Sequence, residues 1–191
     1  MRLFTMAALA AATLPLAACL GGGGDNDHDL PENFEEIADL YDAAEDGELE
    51  EASEDLMSGK ATLAGAIVFE DLVGDDEEVF EAIGELALTA DFDDNKITGT
   101  ADNFGLYVAD SDQSELESTL SGELAVDGDI TGTTMEASLQ GDLVEGGDSN
   151  SVDMTMYGTF YEYDGGLAVT GDVEGEIDGD DAYGGFAAIE E

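Results

Sequence analysis

The sequence predicts a mainly β fold: an eight-stranded antiparallel up-and-down barrel that follows a short acidic helical segment. From residue 58 onward, apolar residues recur at every second position, which is the spacing of a strand with one buried face. Short turn sequences rich in glycine and aspartate separate these runs, and the 191 residues include 25 glycines. Strands joined in order by short turns favour a closed barrel, because closure leaves no exposed sheet edge. We therefore assign residues 58–191 to one barrel domain.

The acidic segment over residues 29–57 has a helical period instead. Asp29 is the expected N-cap, with Glu32 at the capping-box distance and Pro31 in the first turn. Two short amphipathic pieces share a three- or four-residue spacing, interrupted by Gly47. Their apolar positions are Phe34, Ile37, Tyr41 and Ala44, followed by Leu49, Ala52 and Leu56. We expect this segment to pack loosely on the barrel or to separate the barrel from a membrane.

Along the barrel domain, the alternation defines one inward-facing apolar set. Its members are Leu63, Ile67 and Phe69; Leu86, Leu88, Ala90 and Phe92; Leu116, Leu120, Leu124 and Val126; Ala137, Leu139 and Leu143; Val152, Met154, Met156, Gly158 and Phe160; and Leu167, Val169, Val173 and Ile177. Turns are expected at Asp94-Asn95, Asp127-Gly128 and Asp164-Gly165, because Asp, Asn and Gly favour hairpin turns. Outward positions carry Asp, Glu and Thr, so the barrel is predicted to be water-soluble with a filled interior.

The start of the chain resembles a bacterial lipoprotein signal. Arg2 precedes a mostly apolar run that is shorter than the about 20 residues needed to cross a bilayer. The run ends in Leu16-Ala17-Ala18-Cys19, which resembles a lipobox. That resemblance implies cleavage before Cys19 and acylation of this cysteine with chains such as palmitate. We expect residues 1–18 to be the signal peptide, Cys19 the lipid anchor, and residues 19–28 a flexible glycine-rich tether.

Cys19 is also the only cysteine in the chain. A lone cysteine has no intramolecular disulfide partner, and several acyl chains anchor a protein where one chain alone does not. Leu20 stands at the position after the cysteine, where enterobacterial sorting rules place Asp for retention in the inner membrane. The resemblance therefore implies the outer membrane, at the cell surface or the periplasmic face. The alternative is an ordinary secretory signal with a bystander cysteine.

Charge restricts the possible partners. The chain has 49 acidic and 3 basic side chains, a formal net charge of −46. Such a field repels phosphate backbones, so we predict no binding to nucleic acid. It also repels itself unless salt screens it, which predicts a saline or marine habitat. The acidic surface either attracts a basic partner protein or is simply solvated.

Catalytic and metal-binding patterns are weak. The single histidine, His28, lies in the tether, so neither a Ser-His-Asp nor a Cys-His arrangement can form within the barrel. One acidic stretch has the spacing of the first three EF-hand ligands, namely Asp91, Asp93 and Asn95. However, Lys96 stands where that loop requires Gly, and Asp102 stands where it requires Glu. We predict no metal site, no cofactor and no catalytic residue.

Four stretches taken in order resemble the barrel domain of transferrin-binding protein B. These stretches are "GELALTADFDDNKITGTADNF" (84–104), "GDITGT" (128–133), "YGTFYEYDGGLAVTGDVEGEI" (157–177) and "YGGFAA" (183–188). The resemblance implies an eight-stranded barrel on a bacterial surface lipoprotein that binds host factors or iron carriers. The chain has the length of one barrel rather than two lobes, and no transferrin-contact residue can be transferred to a position here.

These observations favour a non-enzymatic binding lipoprotein whose barrel presents a surface to an unknown protein or iron-carrier-type partner. One alternative is a structural envelope lipoprotein that acts as a charged spacer without a specific ligand. A second alternative, from another class, is a hydrolase that uses a pair of acidic residues.

The net charge generates a first prediction. Screening lengths fall from roughly 8 Å at physiological ionic strength to about 3 Å at 1 M salt. Because like charges then repel less in the folded state, we expect the melting temperature to rise as sodium chloride increases from 0.05 to 1 M. Differential scanning calorimetry measures this, and a flat or falling melting temperature would contradict the expected self-repulsion.

Overall fold

The computed structural model describes residues 30–31, 33–73, 78–109 and 116–191. The expected signal peptide and tether, Cys19 included, lie outside these residues, as do Asp29 and Glu32. Within the described part, the chain forms one helix and ten strands. In chain order they are α1 (Phe34–Glu45), β1 (Glu50–Glu51), β2 (Lys60–Val73), β3 (Val79–Asp91), β4 (Lys96–Val108), β5 (Leu116–Leu120), β6 (Leu124–Thr131), β7 (Thr134–Glu145), β8 (Asp148–Tyr163), β9 (Gly166–Ile177) and β10 (Asp180–Glu190).

The predicted eight-stranded up-and-down barrel is confirmed. From β2 to β10, strands that follow one another along the chain pair antiparallel, except β5 with β6, and β10 pairs with β2 to close the sheet. Strands β5 and β6 share one place, because both pair with successive parts of β4. The two-residue β1 extends the sheet beside the end of β8, beyond the first residue of β7. The closed arrangement satisfies the backbone hydrogen bonds without a free edge.

Large apolar side chains fill the barrel interior. Phe69, Phe104, Phe160 and Phe186 are fully buried, and the rings of Phe69 and Phe104 stack with centroids 5.5 Å apart. Complete burial of each such side chain contributes roughly 1.5–3 kcal/mol. The predicted inward set lies in this core, except that Phe92 is only partly buried at its margin and Leu116 faces elsewhere.

A register shift between β4 and β5 explains why Leu116 does not face the barrel interior. Tyr107 pairs with Leu116, whereas the preceding Leu106 pairs with Ser118, so one extra residue of β5 is unpaired. A bulge of this kind moves the residues beyond it to the other face of the sheet. Leu116 therefore packs with Tyr107 in the cluster outside the barrel, and its predicted inward position is wrong.

One of the three expected turns is also wrong. Asp127-Gly128 lies within β6, and the hairpin turn that follows β6 is at Gly132-Thr133. A Cβ built on Gly128 would lie 2.3 Å from the carbonyl oxygen of Glu136, so this glycine permits close approach of two strands rather than a turn. The turns at Asp94-Asn95 and Asp164-Gly165 are confirmed.

The helix occupies only the first part of the expected helical segment. It follows Asn33, which takes the N-cap position, and it ends at Glu45 in a Schellman motif. In that motif the backbone N–H of Gly47 donates to Ala44 O and that of Glu48 donates to Ala43 O. The expected second helical piece is wrong, because the chain turns at this point into β1.

Helix α1 packs closely on the outside of the barrel, across β2, β9 and β10. Its residues Phe34, Ile37 and Leu40 are buried in an external cluster with outward-facing residues of the strands, and Leu40 is 1% exposed. Loose packing of this segment is therefore not observed. No helix in the described part of the chain is long and apolar enough to span a membrane.

The close approach at Gly128 generates a second prediction. We expect Gly128→Ala to lower the free energy of unfolding by about 2 kcal/mol, because the new methyl group would overlap the backbone of β7. Gly166→Ala is the matched control, since its nearest atom is the end of the flexible Glu190 side chain, at 3.3 Å. That control should change stability by no more than about 0.5 kcal/mol. Urea denaturation measures both, and equal effects would refute the assigned β6–β7 approach.

Candidate functional site

A groove of about 710 Å³ lies between the C-terminal half of α1 and the outer face of strands β6 to β9. Tyr41, Ala44 and Glu45 form its helical wall. Outward-facing residues of the strands form its floor, because alternate side chains of a barrel strand point away from the interior. The groove therefore depends on the docking of the helix as well as on the register of the sheet.

Two cross-strand rows build the floor. In the first row, Tyr157 on β8 pairs with Glu136 on β7 and with Asp172 on β9, so its ring lies between two carboxylates. In the second row, threonines occupy four adjacent strands. These are Thr131, Thr134, Thr159 and Thr170. Directly paired side chains have their Cβ atoms roughly 4.5–5.5 Å apart, so each row forms a continuous surface.

Tyr41 connects the helix to this floor. Its hydroxyl donates a hydrogen bond to Asp172 Oδ1, at 3.1 Å. Its ring lies over Gly185 on β10, where a Cβ would come within 2.7 Å of the Tyr41 ring. Burial and the nearby Asp172 and Glu45 carboxylates raise the pKa of Tyr41 well above its ordinary value. The phenol therefore stays protonated at neutral pH and holds the Asp172 carboxylate in place.

Exposure differs strongly across the groove. The side chain of Tyr157 is 42% exposed, although large apolar surfaces are usually covered. Thr170, in contrast, is only 4% exposed at the base of the groove. The groove thus presents an open aromatic surface above a buried hydroxyl group.

The lining of the groove is negatively charged. Four carboxylates contribute to it, namely those of Glu45, Asp129, Glu136 and Asp172. The Lys96 ammonium lies 2.7 Å from Asp129 at the margin. The other lysine of the chain, Lys60, binds Asp91 elsewhere, so three of the four carboxylates in the groove have no lysine beside them.

The acidic stretch with EF-hand-like spacing has a structural role in the β3–β4 hairpin. The Asp91 carboxylate lies 2.6 Å from Lys60 Nζ and accepts a hydrogen bond from the backbone N–H of Asp94. The hydrogen bond from Lys60 lowers the pKa of Asp91. Asn95 has a φ of +54°, and its carbonyl accepts a hydrogen bond from Ile130. Among the described residues, no group of three or more His, Cys, Asp or Glu side chains is placed to hold a metal ion.

None of the residues that line the groove was predicted from the sequence to be a site residue. A usable signal lay in "YGTFYEY" (157–163), where the same alternation that places Phe160 inside places Tyr157 and Tyr161 outside. Outward aromatic residues on a water-exposed strand are a common mark of a binding surface. Nothing in the helical sequence indicated that Tyr41 would line the groove.

A second titratable group lies beside the groove wall. Glu70, on β2, lines a small crevice under α1 together with Tyr41 and Val68. Burial raises the pKa of Glu70 to about 7, and the nearby carboxylates of Glu81, Asp71 and Asp172 add to the effect. The seam between the helix and the barrel therefore contains a carboxyl group that titrates near neutral pH.

The chain was compared with known proteins. No protein-family model matches it, and no curated protein gives a match. The resemblance to the barrel domain of transferrin-binding protein B thus stays a hypothesis.

The raised pKa of Glu70 generates a third prediction. Its pKa is about 7 in the folded protein against an ordinary value of 4.5, so the folded state binds the proton more tightly. The resulting stabilisation is fully present below about pH 4.5 and is lost as the pH rises through 7. From pH 8 to pH 5, we expect the wild type to gain about 2 kcal/mol relative to Glu70→Gln.

Urea denaturation at each pH gives the free energies of unfolding for this comparison. Glu174→Gln, which removes an exposed carboxyl group on β9, is the matched control and should not reproduce the difference. If the wild type and Glu70→Gln keep a constant difference over this range, Glu70 is not the titrating group.

Proposed function

We propose that this chain is a lipid-anchored, non-enzymatic binding protein of a bacterial outer membrane, with the groove beside α1 as its binding site. The barrel is a single-barrel relative of the transferrin-binding protein B domain, and its partner is a protein or an iron-carrier-type molecule. One observation carries the binding proposal: Tyr157 is 42% exposed in a groove whose wall is held by the hydrogen bond between Tyr41 and Asp172.

The volume, floor and lining of the groove support a role in binding. Its volume of about 710 Å³ falls within the range of roughly 300–1,000 Å³ that is common for ligand sites. Its floor consists of hydrogen-bonded strands rather than loops, and sites on such elements keep their geometry when a ligand arrives. The exposed groups are an aromatic ring, hydroxyls and carboxylates, which are groups that recognise a partner by stacking, hydrogen bonding and charge.

The N-terminal sequence supports the anchor. Leu16-Ala17-Ala18-Cys19 resembles a lipobox, and the glycine-rich sequence that follows is typical of a tether. Acylation of Cys19 explains why the chain contains one cysteine. The acidic helix and barrel then extend into the aqueous phase.

A single capture experiment tests this proposal. The full chain with a C-terminal affinity tag is produced in a Gram-negative host, and its N-terminal peptide is analysed by mass spectrometry. We expect Cys19 to be N-terminal and to carry acyl mass, and Cys19→Ser to leave the membrane fraction. The purified wild type, incubated with envelope extract and growth medium, should retain a saturable partner.

Groove variants serve as controls in the same experiment. The Tyr157→Ala variant should retain at most about one tenth as much partner as the wild type. Truncation of a hot-spot aromatic residue costs about 2 kcal/mol or more of binding free energy. Tyr183→Ala removes a similarly exposed tyrosine from β10, outside the groove lining, and should retain the partner. Equal retention by both variants, or no saturable partner for the wild type, would favour a structural spacer. An unmodified thiol would refute the anchor.

A further inference from the structure

The charged groups of the groove accept hydrogen bonds, while the hydroxyls of its threonines and of Tyr157 can both donate and accept. Carboxylate oxygens accept hydrogen bonds, and the one hydrogen on the Tyr41 hydroxyl is already donated to Asp172. Glu45, Glu136 and Asp172 therefore offer many lone pairs and no protons. These carboxylates are complementary to cationic donors, and Lys ammonium and Arg guanidinium groups are donors without acceptors.

A buried hydroxyl at the base of the groove adds an independent observation. Thr170 is 4% exposed, and its side chain has no hydrogen-bond partner among the described residues. No fully buried polar side-chain atom in the described part of the chain lacks a partner, so the Thr170 hydroxyl must open into the groove that it lines. The rest of Thr170 is buried, so a ligand or a water molecule in the groove is the available partner of this hydroxyl.

The aromatic ring adds selectivity for organic cations. Tyr157 lies between Glu136 and Asp172 in the cross-strand register, so a cation above its ring face also lies close to two carboxylates. Cations within about 6 Å of an aromatic centroid are attracted by the ring, and Arg is found in this position more often than Lys. A neutral sugar would use the ring but not the charge, and an anionic ligand would be repelled.

A metal ion fits the groove less well than an organic cation does. No group of three or more His, Cys, Asp or Glu side chains among the described residues is placed to hold a metal. The volume of about 710 Å³ is also far larger than one metal ion with its ligands requires. The carboxylates are spread along the floor and the helical wall, which suits charges that are distributed along a chain.

From these observations, we propose that the groove binds a basic segment of a partner protein, with an Arg or Lys side chain over Tyr157, between Glu136 and Asp172. This inference rests on the proposed binding function and adds the chemistry of the partner. A peptide segment is favoured over a free amine because the groove lies open along the barrel surface and its carboxylates are spread over the helical wall and three strands.

Isothermal titration calorimetry of the full chain tests the proposal. The probes are tetra-arginine, tetralysine, the free polyamine spermine, and uncharged tetra-serine, each at 0.15 M sodium chloride. We expect tetra-arginine and tetralysine to bind with saturation at one site, and tetra-serine not to bind. Spermine carries a similar charge without a peptide backbone and should bind at least tenfold more weakly than tetra-arginine.

Matched variants separate a built site from diffuse charge. The double variant Glu136→Gln/Asp172→Asn should raise the Kd for tetra-arginine at least tenfold. Glu176→Gln/Asp181→Asn removes the same charge from a cross-strand pair at the far end of β9 and β10, and should raise the Kd less than twofold. Tyr157→Ala should weaken binding without any change of charge, while Tyr157→Phe should retain it. Circular dichroism melts confirm that each variant is folded.

Three results would overturn the proposal. Equal losses in the two double variants would show that only overall charge attracts the peptide. Binding of spermine as tightly as tetra-arginine would identify a free amine rather than a protein segment as the occupant. Absence of peptide binding, together with a captured partner that depends on Tyr157, would leave the binding function standing and refute its basic chemistry.

Discussion

The contact between helix α1 and the outside of the barrel is the constraint on which the rest of the site depends. Barrel residues that face water are normally polar, yet here Ala66, Val68 and Ala187 form an apolar patch on the outer face of β2 and β10. The helix covers this patch with its own apolar side, and small side chains on the strands allow it to come close. Docking in this position brings Tyr41 over Gly185 and turns an exposed sheet surface into a groove with a fixed wall.

The register of the barrel then decides which side chains meet. Because side chains alternate between the two faces of a strand, pairing fixes a whole row at once. The row that joins Glu136, Tyr157 and Asp172 requires the pairing of both β7 with β8 and β8 with β9. The bulge in β5 shows the sensitivity of this arrangement, since one extra residue moves Leu116 out of the interior. The same framework that buries the phenylalanines thus sets the spacing of charges and rings outside.

Most of the barrel could be predicted because burial on one face leaves a two-residue period in the sequence. The predicted turn at Asp127-Gly128 was wrong because tertiary contacts, which the local sequence does not show, decide the role of the glycine. Gly128 lies inside a strand, where its missing side chain permits β6 and β7 to approach closely. Likewise, the pattern of Leu49, Ala52 and Leu56 fits a helix, whereas Ala52 lies in the barrel core and its N–H donates to Phe160 O. Tyr41 and Asp172 meet in the groove although 131 positions separate them in the chain, so no local sequence pattern predicts their contact.

Nuclear magnetic resonance of the Gly185 α-protons tests the docking of the helix most directly. With the Tyr41 ring over this residue, we predict a strong upfield ring-current shift of one Gly185 α-proton and nuclear Overhauser effects to the Tyr41 ring. Replacement of Tyr41 by Leu should abolish both signals while leaving cross-strand contacts between β2 and β10 intact. An ordinary glycine shift with no contact to the ring, in a protein whose barrel is otherwise formed, would contradict the docked helix and with it the groove.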